Sequence, residues 1–327
     1  MFLSESSTRD QKWDYHASNR FQVARNFLEA DFSLHKRGFN IFKCSNRLKF
    51  WVTGDGLILS VPTQQELLKK GINHFCRDRL CPSCQWRRSL RWKAEAHSMM
   101  DVIKPLHPLH RWIFMTLTVR SCHVSNLRDT LNLMSRSLRN WFDVTKHSPI
   151  HHRWPAVGWI KSTEITFDFV TGYCHPHFHI LMMVEPDYYD SSKYICQQEH
   201  ELSALWRQAM NLDYNPICDV RSADRKKLRS SIIPVDPCTS IPELLKYCTK
   251  ESDLVDATPQ FLSQYAAQIK GLRFIEPGGL FRDYQALGAE PEDLIGAENG
   301  NIGANAPALL FYWNSTIKVP RYQLEVA

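Results

Sequence analysis

The chain has 327 residues, of which 43% are hydrophobic and 23% charged. These proportions are typical of a globular protein with one large core or two modest ones. The chain contains no run of 18 apolar residues, and its polar first twenty residues lack the apolar centre of a secretory signal, so we expect a cytoplasmic protein without a membrane span. The formal net charge of +6 is a mild bias toward anionic partners.

Alternating helical and strand-like patterns predict an α+β fold whose sheet is largely antiparallel. Residues 1–40 look partly helical, and Phe42–Val61 reads as strands around a turn at Gly54. The later elements expected, in chain order, are a helix at Gln85–Val102, a strand at Trp112–Val119, a helix at Leu127–Val144, a hairpin of Val157–Phe167 and His175–Val184, a helix at Gln197–Met210, a short strand at Ile217–Val220 and a helix at Ser240–Lys250. The glycines Gly278 and Gly279 and the stretch Gly288–Pro307 are expected to form loops.

Three cysteines within nine residues, Cys76, Cys81 and Cys84, predict a zinc knuckle. Tetrahedral zinc takes four thiolate or imidazole ligands, and two cysteines separated by two residues supply a pair from one tight turn. For the fourth ligand we favour Cys44, which precedes a predicted strand, over His74. Ordinary reduced cysteines are the alternative, because a chain without a secretory signal is not expected to carry disulfides.

The helix that follows the knuckle is rich in cations and in tryptophan. Arginine and lysine neutralise phosphates, and flat rings stack on unpaired bases, so this pattern predicts contact with nucleic acid. A solvated helix face is the alternative interpretation. The candidate DNA-binding residues are Arg87, Arg88, Arg91 and Lys93, with Trp86 and Trp92 between them.

A second metal site is predicted where two histidines alternate with apolar residues. Side chains alternate across a strand, so His177 and His179 face the same way, while Phe178 faces the other. If the hairpin turns near Val170, Glu164 lies opposite His177. Two imidazoles and one carboxylate suit a divalent ion such as Mg²⁺ or Mn²⁺ in phosphodiester chemistry. The alternative for Glu164 is an exposed strand carboxylate, because the register is inferred.

The predicted helix Ser240–Lys250 brings a phenol, a carboxylate and ammonium groups together. Glu243 and Tyr247 are four residues apart and Lys250 lies three beyond, so all three share one helix face. Tyr247 is a candidate nucleophile, with Lys246 or Lys250 favouring its phenolate form, and Glu243 is a candidate base for activating water. The alternative is structural: the helix's first serine and Glu243 also match a capping box.

Together these motifs resemble the rolling-circle replication initiators of the HUH endonuclease superfamily, and most closely their bacterial plasmid Rep branch. The histidine–hydrophobic–histidine core and the Glu-x-x-Lys-Tyr-x-x-Lys pattern both match that branch. The N-terminal cysteine cluster, Cys76–Cys84, also resembles one found in that branch. Three motifs follow it in the family's order: Phe114–Thr118, His175–His179 and Glu243–Lys250.

The resemblance implies an HUH nuclease fold, which is a central antiparallel sheet with the histidines on a middle strand. We expect three regions: 1–105 with the zinc knuckle and basic helix, 106–255 as the nuclease domain, and 256–327 of unknown role. The resemblance also implies that a metal at His177, His179 and Glu164 polarises the scissile phosphate. Tyr247 would then form a 5′-phosphotyrosine and leave a free 3′-hydroxyl, and Glu243 would direct water for the terminating cleavage.

The partners implied by the resemblance are plasmid origin DNA, single-stranded at the nick site, and a host helicase and polymerase. The sequence has no Gly-x4-Gly-Lys-Ser/Thr phosphate loop, so unwinding is expected to fall to the host. An HUH transposase, a conjugative relaxase or a non-enzymatic zinc-dependent DNA-binding protein remain alternatives. A cupin-like oxygenase is disfavoured, because it needs a carboxylate shortly after the His-x-His pair and Glu185 lies beyond the apolar strand.

Overall fold

A computed structural model describes residues 1–7, 9–54, 56–142, 156–188, 199–228, 231–245, 249–284 and 307–325. Within them the helices are α1 (Gln11–Leu28), α2 (His35–Lys43), α3 (Gln64–Lys70), α4 (Pro82–Leu106), α5 (Leu127–Phe142), α6 (Glu199–Met210), α7 (Ile241–Leu244), α8 (Glu251–Asp256) and α9 (Pro259–Ile269). The strands are β1 (Arg47–Thr53), β2 (Gly56–Leu59), β3 (Arg111–Thr118), β4 (Cys122–His123), β5 (Ala156–Asp168), β6 (Tyr173–Val184), β7 (Cys218–Ser222), β8 (Arg225–Leu228), β9 (Ser231–Pro234), β10 (Ile275–Gly279), β11 (Ala308–Asn314) and β12 (Arg321–Leu324).

The chain forms two compact units, one made of residues 1–91, 250–266 and 290–327 and the other of 92–249 and 267–289. Among the residues that the structure describes, no helix has the length and apolar character needed to cross a bilayer.

The first unit combines an antiparallel sheet, in the order β12-β11-β1-β2, with the N-terminal helix α1. Trp13 of α1 meets Phe50 of β1 edge-on, with ring centroids 5.8 Å apart, and Trp86 at 4.7 Å. His16, one turn further along α1, stacks on Trp86 and pairs with buried Glu251 of α8 at 2.6 Å. The polar N-terminal region is therefore helical, as predicted, and it contributes buried side chains to this unit's core.

The second unit is organised by a sheet in the order β10-β5-β6-β3-β7, in which every neighbouring pair is antiparallel. This confirms the predicted antiparallel sheet with flanking helices. β6 lies in the middle, between β5 and β3, and the short β4 pairs with its first residues. The predicted hairpin of β5 and β6 is also confirmed, with Gly172 in the turn at φ +76°.

Both faces of β6 are covered, which explains why residues 178–184 are apolar at every position apart from one histidine. On one face α5 and α6 pack through Trp141 and Trp206, whose ring centroids lie 5.7 Å apart. The opposite face packs against the second half of α4 and against α7. Its buried cluster includes Trp92, Ala96, Met100, Ile103, Phe114, Ile160, Leu181, Ile241, Leu244 and Leu245.

The predicted strand from Phe42 is wrong at its start, because Phe42 and Lys43 end helix α2 and β1 begins at Arg47. The helix buries Ile41 and stops where Cys44 turns to an extended conformation at φ −60° and ψ 132°. A run of apolar residues in this segment is compatible with either structure, and tertiary packing decided between them.

The loop predicted at Gly278 and Gly279 is also wrong, because both residues belong to β10, which pairs with β5. The glycines allow a close approach: a Cβ on Gly278 would lie 2.0 Å from the Trp159 ring. β11 and β12 were likewise not predicted, and the stretch expected to be a loop at 288–306 lies outside the described residues. These strands depend on partners far away in sequence, which local patterns do not report.

We predict that Gly279→Ala lowers the free energy of unfolding by about 3 kcal/mol. Gly279 has φ +55°, and an added Cβ would lie 2.5 Å from the carbonyl oxygen of Val157, so backbone strain and overlap act together. The control is Gly54→Ala, where no atom lies within 4 Å, and the change there should be under about 0.5 kcal/mol. Equal denaturant midpoints for the two variants would contradict the close pairing of β10 with β5.

Candidate functional site

The candidate active site is formed by Glu164 of β5 with His177 and His179 of β6. Glu164 lies directly opposite His177 in the hairpin, which confirms the register inferred from the sequence. One carboxylate oxygen, Oε2, lies 2.9 Å from Nε2 of His179 and 3.3 Å from Nε2 of His177. The three ligand atoms thus converge within 4.8 Å of one another, as expected for a shared ion.

Hydrogen bonds at the far side of each ring orient the two imidazoles. Nδ1 of His177 lies 3.3 Å from the carbonyl oxygen of His175, which can only accept, so Nδ1 carries the proton. Nδ1 of His179 lies 3.1 Å from Oγ1 of Thr116, its partner residue on β3. The neutral form of His177 therefore directs its Nε2 lone pair at the carboxylate oxygen. The Thr116 hydroxyl can donate or accept, so His179 can donate a proton from Nε2 to Glu164. A proton or a cation is required between an imidazole lone pair and a carboxylate oxygen, and second partners of this kind are typical of metal-binding histidines.

Burial and charge make Glu164 a ready anionic ligand. Its side chain and that of His179 are buried, and His177 is partly exposed. Burial raises the pKa of Glu164, but hydrogen bonds from His177 and His179 outweigh it and bring the pKa well below its ordinary value. The carboxylate therefore stays ionised at neutral pH.

The second group consists of four cysteine sulfurs, all within 4.8 Å of one another. The Sγ of Cys84 lies 3.4 Å from that of Cys44 and 3.7 Å from that of Cys76, and Cys81 completes the group. Sulfurs bound tetrahedrally to zinc, at about 2.3 Å each, are roughly 3.8 Å apart. The donor set and its spacing therefore fit a structural zinc ion.

Backbone contacts bring Cys44 into this group. Ser45 adopts φ +49° and donates its amide to the carbonyl of His74 at 2.6 Å, which holds the two segments together. The amide of Cys76 in turn lies 3.4 Å from the sulfur of Cys44. Burial opposes ionisation of Cys44, but hydrogen bonds from the other three thiols and the charge of Arg20 lower its pKa well below the usual value. Thiolate is the form that binds zinc.

The basic helix after the knuckle is more buried than its sequence indicated. Arg87 and Arg88 are only 3% and 5% exposed. The Arg87 guanidinium lies 5.5 Å from the ring of Trp13, and Arg88 donates to the carbonyl of Arg77 at 2.9 Å. These two side chains have little surface for a phosphate, which spacing alone did not reveal. Arg91 and Lys93 of the same helix are partly exposed, and a DNA contact is still expected of them.

The continuous helix predicted at Ser240–Lys250 is wrong. α7 ends at Leu244, Leu245 has left the helical conformation at φ −104° and ψ 42°, and Lys250 is extended at the start of α8. Leu244 and Leu245 are both buried in the core, where tertiary context can override a local helical pattern. Ser240 makes no side-chain capping bond, which removes support for the capping-box alternative. Lys246 and Tyr247 lie outside the described residues.

Glu243 forms an ion pair with Arg221 of β7. Sequence reasoning missed Arg221, because its strand is short and its partner is 22 residues away. α7 is held against the sheet by Ile241, Leu244 and Leu245, which join the cluster that contains Phe114. Phe114 and Thr116 share one face of β3, and Thr116 is the partner of His179, so α7 lies on the histidine-bearing face.

Together these features define an α+β protein with two groups of side chains suited to metal ions. A family model described as Replication protein matches residues 68–322. Protein rep of Lentilactobacillus hilgardii is 29% identical over 84% of this chain and 82% of its own length, and Protein rep of Bacillus amyloliquefaciens is 32% identical over 75% of each. Protein rep of Streptococcus pneumoniae is 27% identical over 74% of each. No solved structure matches this chain significantly. The chain belongs to the replication-protein family.

We predict one zinc ion per chain in freshly purified, reduced protein, measured by elemental analysis. Cys44→Ser should remove most of the zinc and lower thermal stability, because a structural zinc contributes directly to folding. Cys218→Ser, at a buried cysteine outside the group, should retain it. Zinc that survives in Cys44→Ser but is lost in His74→Ala would move the fourth ligand to His74, and zinc-free wild-type protein would refute the site.

Proposed function

We propose that this chain initiates rolling-circle replication of a plasmid by nicking one strand of origin DNA with an HUH-type nuclease site. The observation that carries the proposal is the convergence of Glu164, His177 and His179 on the central hairpin of a replication-family protein. The buried carboxylate and the two oriented imidazoles are a donor set for a divalent cation. His177 is the one member of the group that is partly exposed, so a phosphate would approach the group from its side.

The three residues would hold Mg²⁺ or Mn²⁺, whose contribution when bound is Lewis-acid polarisation of the scissile phosphate. Thr116 and the carbonyl of His175 keep the imidazoles in the orientation that directs Nε2 inward. These contacts fix the site before DNA binds, so little reorganisation is required at the moment of reaction.

Tyr247 is the proposed nucleophile. Its phenol loses a proton to solvent, its oxygen forms a bond to phosphorus, and the bond from phosphorus to the 3′ oxygen breaks. The 3′ oxygen takes a proton, which leaves a free 3′-hydroxyl and a 5′-phosphotyrosine. A phenol has a pKa of about 10, so a nearby cation must favour phenolate, and Lys246 and Lys250 are the candidates. Leu245, two residues earlier, is buried on the histidine-bearing face, which supports this role for Tyr247.

Glu243 is the proposed base for the terminating step, in which it takes a proton from an attacking water. The water oxygen forms a bond to phosphorus, the bond from phosphorus to the Tyr247 oxygen breaks, and the released phenolate takes a proton. The position of Glu243 on the histidine-bearing face supports that role. In this conformation one oxygen of its carboxylate is held by Arg221.

The proposed partners are origin DNA that is single-stranded at the nick site and a host helicase and polymerase. Arg91 and Lys93 are proposed to contact DNA phosphates. The free 3′-hydroxyl left by nicking is the primer that a polymerase extends.

We predict that His177→Ala and His179→Ala each abolish nicking of a single-stranded origin oligonucleotide and weaken Mn²⁺ binding in calorimetry. Glu164→Ala should be milder, because both imidazole ligands remain. The matched control is His97→Ala, which changes an exposed histidine on α4. This variant should bind Mn²⁺ and nick the oligonucleotide like the wild type. Full nicking by the His177→Ala/His179→Ala double variant would end the metal-nuclease proposal in favour of a DNA-binding protein that does not cleave.

We predict a division of labour between Tyr247 and Glu243. Tyr247→Phe keeps the ring and removes the attacking oxygen, so nicking and the covalent adduct should both disappear. Glu243→Gln keeps the shape and removes the base, so the adduct should form but persist about a hundredfold longer. Gel shifts after denaturation, with mass mapping of the adduct peptide, measure both. Equal adduct lifetimes for the wild type and Glu243→Gln would exclude the catalytic role of Glu243.

A further inference from the structure

Arg221 lies on the same sheet face as the candidate metal group, at the β7 end of the sheet. It is the register partner of Phe114 on β3, and its guanidinium carbon lies 4.7 Å from the centre of the Phe114 ring. The Phe114 ring lies 5.7 Å from the ring of His179. One aromatic ring therefore separates a permanently charged guanidinium from a metal-ligand candidate.

Packing on Phe114 restricts the plane of this guanidinium and leaves its edge available to anions. The side chain is 48% exposed, and that of its anionic partner, Glu243, is 37% exposed. An ion pair this exposed contributes little to stability, so it exchanges readily for another anion. A guanidinium presents a planar fork of N–H donors that matches two oxygens of a phosphate, and restriction on a ring reduces the entropy lost on binding.

We propose that Arg221 binds a backbone phosphate of single-stranded DNA beside the scissile phosphate, and that Glu243 occupies the guanidinium only until DNA arrives. This inference rests on the proposed function, because it requires a DNA strand on the histidine-bearing face. The exchange also has a consequence for chemistry. A phosphate that replaces Glu243 on the guanidinium frees the carboxylate oxygen that Arg221 holds, so this oxygen can accept a proton from water only when a strand is bound. The terminating hydrolysis is thereby tied to occupancy by DNA.

The test measures binding of a fluorescent oligothymidylate to full-length, zinc-loaded protein carrying Tyr247→Phe, so that cleavage does not interfere. In this Tyr247→Phe background, the further substitution Arg221→Met should weaken binding about tenfold. It should also make the plot of log affinity against log salt shallower by about 0.7, the value for one single-strand phosphate contact. Arg221→Lys keeps a cation and should restore the slope but only part of the affinity. The matched control is Arg139→Met. Arg139 is an exposed residue of α5, the helix that packs on the opposite face of the sheet, so this substitution should leave the affinity and the salt slope unchanged.

Glu243→Gln supplies the sharper measurement, because it removes the competitor for the guanidinium. It should tighten oligothymidylate binding several-fold when Arg221 is present and have no effect in the Arg221→Met background. A gain of equal size in both backgrounds would mean general charge repulsion and would overturn the exchange. An unchanged salt slope in Arg221→Met, or no binding of the oligonucleotide at all, would overturn the phosphate contact. The proposed nuclease is judged separately, by adduct formation in protein with Tyr247 intact.

Discussion

The pairing of Glu164 with His177 across the β5–β6 hairpin is the constraint on which the candidate active site depends. A slip of one residue in this register would turn every side chain of one strand to the opposite face and separate the carboxylate from the imidazoles. Several features hold the register. The turn at Gly172 sets the hairpin, and apolar residues 180–184 are buried between helices on both faces. β6 is hydrogen-bonded to β5 on one side and to β3 on the other, so a change of register would break both pairings.

The same sheet face that presents this group also receives α7. Ile241 and Leu244 of the helix and Leu245 directly after it belong to the buried cluster that contains Phe114 and Leu181. The helix is only four residues long, so its position depends on this packing and not on its own helical stability. Packing therefore sets where Glu243 stands, and Arg221 on the neighbouring strand sets the orientation of its carboxylate.

The cysteine group of the first unit also depends on contacts between segments that are distant in sequence. Three of its members come from one short segment, but Cys44 arrives from the end of α2 through backbone contacts near Ser45 and His74. Cys84 lies in the first turn of α4, so an ion held by the group would order the start of that helix. Arg87, on the next turn, packs on Trp13 of α1. The Arg87 guanidinium therefore contributes to side-chain packing within the first unit.

The sequence by itself determined the antiparallel hairpin, the register of Glu164 with His177, and the cluster of Cys76, Cys81 and Cys84. Each of these follows from alternation along a strand or from short, rigid spacing, which are local properties of the chain. The sequence favoured Cys44 over His74 as the fourth member, and the tertiary structure brought Cys44 to the other three. Tertiary structure alone decided that the helix after Ser240 stops at Leu244, that Gly278 and Gly279 form an edge strand against Trp159, that Arg87 and Arg88 are buried, and that Arg221 meets Glu243. In each of those cases the deciding contact joins residues separated by many positions. A helical pattern, a glycine pair or a cluster of arginines is compatible with more than one environment until those distant partners are in place.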